Sequence, residues 1–140
     1  MAKKAKKLLI VDQNASRRDT LASRFRSQQN YEVEIASGSF QALSFSEKTL
    51  FHTIIIIGEQ QEMSVQELVS MIRNLYSKKE VQILYSDKNK LPDEILEFFG
   101  LGLNEYIIYD DKVFGTLLGK VEMFETVKSI DGPRNSMLAD

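Results

Sequence analysis

Leu8-Leu9-Ile10-Val11-Asp12-Gln13-Asn14 is the stretch of sequence that decides the fold. Four aliphatic residues in succession, with no polar residue between them, predict a strand buried on both faces. Asp12 would then lie at the carboxyl end of that strand. Asn14 or Ser16 is well placed to cap a following helix, in which apolar residues recur at spacings of three and four.

The rest of the chain repeats this alternation of strand and helix. Strands are predicted at residues 31–35, 54–57, 81–85 and 106–109, and residues 31–35 alternate as an edge strand should. Helices are predicted after Ser39, from a capping box at Ser64, from Pro92 and from Val113. The second helix is expected to use Phe40 as an apolar position. Five strands alternating with five helices predict an α/β fold with a doubly wound five-stranded parallel sheet in the order 2-1-3-4-5. Ligands bind such sheets at the carboxyl ends of strands one and three.

Composition and charge narrow the classes of function. The chain has 140 residues, 43% of them hydrophobic, and 18 Lys and Arg against 20 Asp and Glu give a net charge of −2. These values fit one globular domain and disfavour nucleic-acid binding by bulk charge. Four lysines within residues 3–7 are interpreted as a solubilising N-terminus. The expected organisation is a basic N-terminus at 1–6, a domain at 7–125 and a flexible tail or linker at 126–140.

The sequence lacks cysteine and long apolar runs, and both facts bear on where in the cell the protein is expected. There is no cysteine, which excludes disulfides and thiolate metal sites and is compatible with the reducing cytoplasm, where we expect the protein. No apolar run approaches the roughly 20 residues of a membrane-spanning helix. We therefore expect neither a membrane contact nor a signal peptide.

Several fragments, in this order and spacing, resemble the receiver (CheY-like) domains of two-component response regulators. The resemblance covers roughly residues 7 to 125. It depends on the opening stretch, Arg18, Leu21, Ala42-Leu43, Glu67-Leu68, Ile72-Arg73, Ser86 and Gly102-Leu103-Asn104-Glu105-Tyr106-Ile107.

The resemblance implies where a phosphorylation site would lie. Active receivers hold Mg²⁺ with two adjacent acids after strand one, and phosphorylate an aspartate at the end of strand three. A Ser or Thr after strand four and a Lys after strand five complete that site. The first acid is retained here as Asp12, whereas Gln13 stands in place of the second.

The phosphoacceptor is the main departure from the family. A gapless match places Ile57 at the acceptor position, and a register with one gap places Gly58 there. Neither side chain can form an acyl phosphate. Ser86 is retained, and Tyr109 replaces the Lys. The resemblance therefore implies a degenerate pocket of Asp12, Gln13, Ile57, Gly58, Ser86 and Tyr109.

Three polar residues, of which Asp12 belongs to this pocket, are considered for a chemical role. Asp12 either caps the next turn or binds a cation such as Mg²⁺ weakly; no other metal, cofactor or catalytic residue is predicted. Glu59 either is a solvated loop carboxylate or imitates the charge of a phosphate. His52, the only histidine, is expected on a surface loop.

A cluster of aromatic residues suggests a protein-binding face. Phe98, Phe99, Tyr106 and Tyr109 fall on the predicted helix four and strand five, and aromatic residues are enriched at protein interfaces. Adjacent helical residues point about 100° apart, so one of the two phenylalanines is expected to be exposed. Tyr106 either changes rotamer to transmit a signal, as the resemblance implies, or packs at the edge of the sheet.

The leading hypothesis is a non-catalytic, receiver-like signalling module that binds a protein partner, or a second copy of itself, through helix four, strand five and helix five. It would not be an enzyme and would act independently of aspartyl phosphorylation. One alternative is a flavodoxin-like domain or enzyme that binds a nucleotide or another small molecule, although no glycine follows strand one to approach a phosphate. Another is the receiver domain of a longer regulator with a residual phosphorelay role.

Overall fold

The computed structural model describes residues 4–126 as an alternation of strands and helices. The elements are β1 (Lys6–Val11), α1 (Ala15–Arg26), β2 (Tyr31–Ala36), α2 (Ser39–Lys48), β3 (Thr53–Ile57), α3 (Val65–Leu75), β4 (Gln82–Asp87), α4 (Pro92–Leu101), β5 (Glu105–Ile108) and α5 (Val113–Met123). The predicted tail at 126–140 lies, apart from its first residue, outside the described residues. Within residues 4–126, none of the helices is long and apolar enough to span a bilayer.

All five strands form one parallel sheet in the order β2-β1-β3-β4-β5, which confirms the predicted fold class. The aliphatic strands β1 and β3 lie at its centre, paired from Leu8 opposite Thr53 to Val11 opposite Ile56. β2 and β5 form the edges. This order brings the carboxyl ends of β1, β3 and β4 together at one end of the sheet.

The core has two layers because successive residues of a strand point to opposite faces. On one face, Leu9, Ile54 and Ile56 pack with buried residues of α2, α3 and α4. On the other, Ile10 and Ile55 pack with residues of α1 and α5. Burial on both sides explains why the central strands are unbroken aliphatic runs.

Local signals in the sequence fix several element ends. Asn14 caps α1 by accepting a hydrogen bond from the backbone N–H of Arg17, at 2.9 Å. Ser64 accepts one from the N–H of Glu67 at 3.1 Å, as its capping box predicts. Gly102 ends α4 with a φ of 113°, a conformation that favours glycine.

Three expectations differ from the structure. β1 begins at Lys6, two residues before the aliphatic run, so this lysine belongs to the sheet. The buried residues of α2 are the small Ser39, Ala42 and Ser46, which leaves Phe40 exposed. β5 ends at Ile108, so Tyr109 follows the strand instead of belonging to it.

His52 lies in the loop before β3, as expected, and is half-buried there. Its Nδ1 lies 2.7 Å from Thr53 Oγ1, and its Nε2 lies 3.0 Å from the carbonyl oxygen of Phe124. The ring thereby joins the start of β3 to the segment after α5. Burial lowers the pKa of His52, and the nearby Lys6 lowers it further, while the Phe124 carbonyl acts in the opposite direction.

Candidate functional site

The candidate site lies at the carboxyl end of the sheet, where one row of residues crosses four strands. Ile57 pairs with Ser86, and Ser86 pairs with Ile107. Val11 pairs with Ile56, so Asp12 follows β1 at the level of Ile57. An aliphatic side chain therefore stands between the strand-end carboxylate and the hydroxyl.

Ile57 and Ser86 are both inaccessible to solvent, with exposed fractions of 1% and 0%. Ile57 belongs to the core layer beneath α1 and α5. Among the described residues, the Ser86 hydroxyl finds no hydrogen-bond partner, because its neighbours in the row are isoleucines. A buried hydroxyl without a partner is unusual in a folded protein.

Asp12 is fully buried, and both of its carboxylate oxygens accept hydrogen bonds. Oδ1 accepts from the backbone N–H of Asn14 at 2.9 Å, which is the turn-capping role weighed from the sequence. The Arg17 side chain donates to the same carboxylate twice, from Nε to Oδ2 at 2.6 Å and from Nη2 to Oδ1 at 2.8 Å. This bidentate pair is the strongest polar contact of the site.

The guanidinium group of Arg17 lies near both Gly58 and Tyr109. A Cβ atom added to Gly58 would stand 3.0 Å from Arg17 Nη2, and Gly58 has a φ of 73°. The Arg17 Cζ atom lies 5.4 Å from the centre of the Tyr109 ring. The hydrogen bond to Asp12 raises the pKa of Arg17, with burial opposing it, so the group is charged at any physiological pH.

Sequence reasoning missed Arg17, although one signal pointed to it. Arg17 and Arg18 lie in the first turn of α1, which contains no acidic residue. Positive charge is disfavoured at a helix N-terminus because the helix dipole is positive there. Two arginines in that turn, just after a strand-end aspartate, indicate a compensating ion pair.

Gln13 and Glu59 lie outside this arrangement. Gln13 is exposed. Glu59 is also exposed and accepts a hydrogen bond from Lys90 at 2.7 Å, and Lys90 lies 3.4 Å from Asp87. Glu59 is therefore a surface carboxylate that links the β3–α3 and β4–α4 loops, and it does not replace the acceptor side chain.

The two phenylalanines of α4 have different environments. Phe98 is only 2% exposed and packs on the Tyr85 ring with 4.8 Å between ring centres, so its assignment to a binding face was wrong. Phe99 is 37% exposed. Leu96 and Ile108 are also exposed, at 67% and 51%. We call Leu96, Phe99, Tyr106 and Ile108 the α4–β5 face.

Tyr106 is half-buried in this face and turned toward the β4–α4 loop. Its hydroxyl donates to the carbonyl oxygen of Lys88 and approaches that of Asp87 at 3.2 Å. Its ring meets the edge of the Tyr85 ring at 5.7 Å. The residue thus connects the site end of β4 with the surface of α4.

Comparison with known proteins places this fold among receiver domains. No family model matches the sequence, and no curated protein does. The structure is similar to the response-regulator domain of CheB from Thermotoga maritima (TM-score 0.76, 18% identity, 90% of this chain and 100% of that one). It is also similar to the chemotaxis response regulator CheY4 of Vibrio cholerae (TM-score 0.74, 24% identity, 84% of this chain and 99% of that one). A third similar structure is the receiver domain of a Pseudomonas aeruginosa sensor histidine kinase (TM-score 0.74, 18% identity, 86% of this chain and 97% of that one). That receiver domain coordinates a magnesium ion in its active-site cleft.

The residues present here do not fit a magnesium ion. Mg²⁺ requires carboxylate oxygens in direct contact, at roughly 2.0–2.1 Å. Asp12 offers its oxygens to Arg17, and position 57 supplies no oxygen from its side chain. Residues 4–126 contain no group of three or more acidic or histidine side chains able to hold a metal ion.

Proposed function

We propose that this chain is a cytoplasmic, non-catalytic receiver-like module that transmits a signal by binding another protein or a second copy of itself. It acts without aspartyl phosphorylation. The observation that carries the proposal is Ile57, which is buried in the row between Asp12 and Ser86. A phosphoryl group would have to be attacked from there by a carboxylate, and an aliphatic side chain has no lone pair to offer.

The altered neighbours of Ile57 support the same conclusion. A phosphorylated carboxylate carries charge that a cation or an ammonium group must neutralise. Tyr109 supplies no positive charge, and the Arg17 guanidinium is already engaged by Asp12. Ser86 retains its hydroxyl but has no phosphate to bind.

The α4–β5 face supports binding to a protein. Leu96 and Phe99 on α4 and Ile108 on β5 expose apolar side chains, and Tyr106 on β5 is half-buried. Exposed aromatic and aliphatic groups of this kind are typical of the anchors at protein interfaces.

Phosphorylation is tested by adding acetyl phosphate, or beryllofluoride with Mg²⁺, and recording amide spectra and the intact mass. We expect no covalent adduct and no shifts at Asp12, Ile57 or Ser86. A receiver domain with an acceptor aspartate, treated in parallel, checks the reagents. A phosphoryl adduct on this chain would refute the proposal.

The α4–β5 face is tested by sedimentation velocity over a range of concentrations, with wild type compared with Leu96→Glu. Phe40→Glu is the matched control, because Phe40 is equally apolar and 56% exposed but lies on α2. A loss of self-association in Leu96→Glu alone assigns the dimer to this face. If wild type is monomeric, affinity capture with the same three proteins tests a different partner, and identical captured sets would remove the α4–β5 face from consideration.

A further inference from the structure

The buried Asp12 carboxylate needs a positive charge, and the structure supplies one from within the chain. An ionised group with no exposed surface is very costly unless it is paired and hydrogen-bonded. Here three donors meet two oxygens: the Asn14 backbone N–H and the Arg17 Nη2 group reach Oδ1, and Arg17 Nε reaches Oδ2. Both the charge and the hydrogen-bonding capacity of Asp12 are therefore satisfied.

The position of the guanidinium is shaped by its surroundings. Gly58 has no side chain, and a Cβ atom there would stand 3.0 Å from Arg17 Nη2. The Tyr109 ring lies at a distance from the group typical of a cation–π contact. A glycine after β3 and an aromatic residue after β5 together leave a slot for a planar cation.

The Arg17 side chain, unlike the Asp12 carboxylate, can be reached from solvent. The Arg17 side chain is 36% exposed and lines an open cleft of about 420 Å³ between α1 and the start of α5, together with Tyr109 and Phe114. A small cation can reach this point by diffusion. Asp12 does not line this cleft and has no exposed surface, and its carboxylate is already held by the Arg17 guanidinium.

We propose that the Arg17 guanidinium is a built-in cation that permanently occupies the place where receiver domains with an acidic pair hold a divalent ion. The pocket is therefore closed to Mg²⁺ by the chain itself. The inference deepens the proposed loss of the phosphate switch, but it does not depend on the α4–β5 face. It predicts that removing Arg17 uncovers Asp12 as a cation ligand.

The test adds Mn²⁺ to the wild-type protein and to the Arg17→Met and Arg18→Met variants. The unpaired electrons of Mn²⁺ broaden the nuclear magnetic resonance signals of nearby nuclei. In wild type we expect the amide signals of Asp12, Ile57 and Ser86 to keep their intensity, while Glu122, an exposed carboxylate near Lys6 at the opposite end of β1, provides an internal positive control. In Arg17→Met the three site signals are expected to be lost at the same Mn²⁺ concentration. Arg18→Met is the matched control, because Arg18 pairs with Asp19 and reaches only the backbone carbonyl oxygen of Asp12, at 3.5 Å, and not its carboxylate. It should behave as wild type.

Two results would overturn the inference. One is loss of the three site signals in wild type, since the ion would then bind despite Arg17. The other is an unchanged spectrum in Arg17→Met, since Arg17 would then not be what excludes the ion.

A second measurement does not require Arg17→Met to fold. The Nε–H signal of Arg17 in wild type should be protected from exchange, should lose that protection in Asp12→Asn, and should stay unmoved by Mg²⁺. Displacement by Mg²⁺ would contradict a permanent pair. A phosphoryl adduct on wild type combined with an unmoved Arg17 signal would refute the proposed function and leave the built-in cation standing.

Discussion

The β1–β3 end of the sheet and the α4–β5 face use their side chains in opposite ways. At the first, Arg17 forms an ion pair with Asp12 and a cation–π contact with Tyr109, and Ile57 is buried in the core. At the second, Leu96 and Ile108 leave apolar atoms in contact with water. The second region therefore offers apolar surface for burial against another molecule, whereas the charged and aliphatic groups of the first region already contact one another.

This difference separates contacts that stabilise the fold from side chains that are left for other contacts. Ile57 contributes apolar area to the layer beneath α1 and α5, and Arg17 supplies a covalently attached cation to Asp12. Burial of Ile57 favours the folded chain, and Arg17 offsets the cost of burying the Asp12 carboxylate. Under the proposed function, the first region belongs to the scaffold and the α4–β5 face binds the partner.

The largest effect is expected inside α4, where the contrast between scaffold and surface falls between two adjacent residues. Phe98→Ala should lower the free energy of unfolding by about 3–5 kcal/mol, because it opens a cavity against the Tyr85 ring. Phe99→Ala should cost no more than about 1 kcal/mol, since its ring already meets solvent. Urea unfolding measures both, and equal losses would show that α4 is rotated from the position described.

A somewhat smaller loss is expected for Arg17→Met, which strips the buried Asp12 of its counter-ion. Breaking a buried pair costs about 3–5 kcal/mol, and the partial exposure of Arg17 places the expected loss near the lower end, at about 3 kcal/mol. Arg18→Met should cost less than about 1 kcal/mol, because its partner Asp19 is exposed.

A double variant sharpens this result. Asp12→Asn combined with Arg17→Met should recover part of the loss seen in Arg17→Met alone, because no buried charge is then left without a partner. Chemical unfolding of wild type, the two single variants and the double variant gives the four free energies of a double-mutant cycle. Strictly additive losses would mean that the two side chains do not stabilise each other.

The fold could be predicted from the sequence because its signals are local. The aliphatic runs, Asn14, Ser64 and Gly102 each act within a few residues, and their order fixes the parallel sheet. The identity of the residue at the end of β3 followed from the same spacing. These features need no knowledge of what lies across the sheet.

The contacts that define the site were less accessible to sequence reasoning. Arg17 contacts Asp12, five residues earlier and outside the helix, and also lies near Tyr109 and Gly58, which are distant in the sequence. Only the three-dimensional arrangement brings these four residues together. The exposure of Phe99 and the burial of Phe98 depend on how α4 is rotated about its axis. A search for basic residues in the first turn of α1 would have pointed to Arg17.

The pH dependence of stability is expected to arise partly from His52, away from both of the compared regions. Because burial lowers the pKa of His52 in the folded chain, the unfolded chain takes up a proton more readily, below about pH 6.5. The folded state therefore loses stability as the pH falls through that value and gains nothing further above it.

His52→Gln should remove this contribution. The difference in unfolding free energy between about pH 7.5 and about pH 5.5 is expected to be smaller in His52→Gln than in wild type. Asp12→Asn and Leu96→Glu should leave that difference close to the wild-type value if the His52 contribution is local. A larger pH dependence in His52→Gln would contradict the assignment.

The smallest effect on stability is expected for Leu96→Glu, and this is what separates the α4–β5 face from the rest of the molecule. Leu96 is 67% exposed and lies on the opposite side of α4 from the buried Phe98, so its replacement should change the unfolding free energy by no more than about 0.5 kcal/mol. If Leu96→Glu abolishes association while its unfolding curve overlays that of wild type, the apolar surface serves recognition and not folding. If instead the unfolding midpoint drops and association survives, Leu96 stabilises the fold and does not bind a partner. The proposed difference between a stabilising site and a binding α4–β5 face would then be wrong.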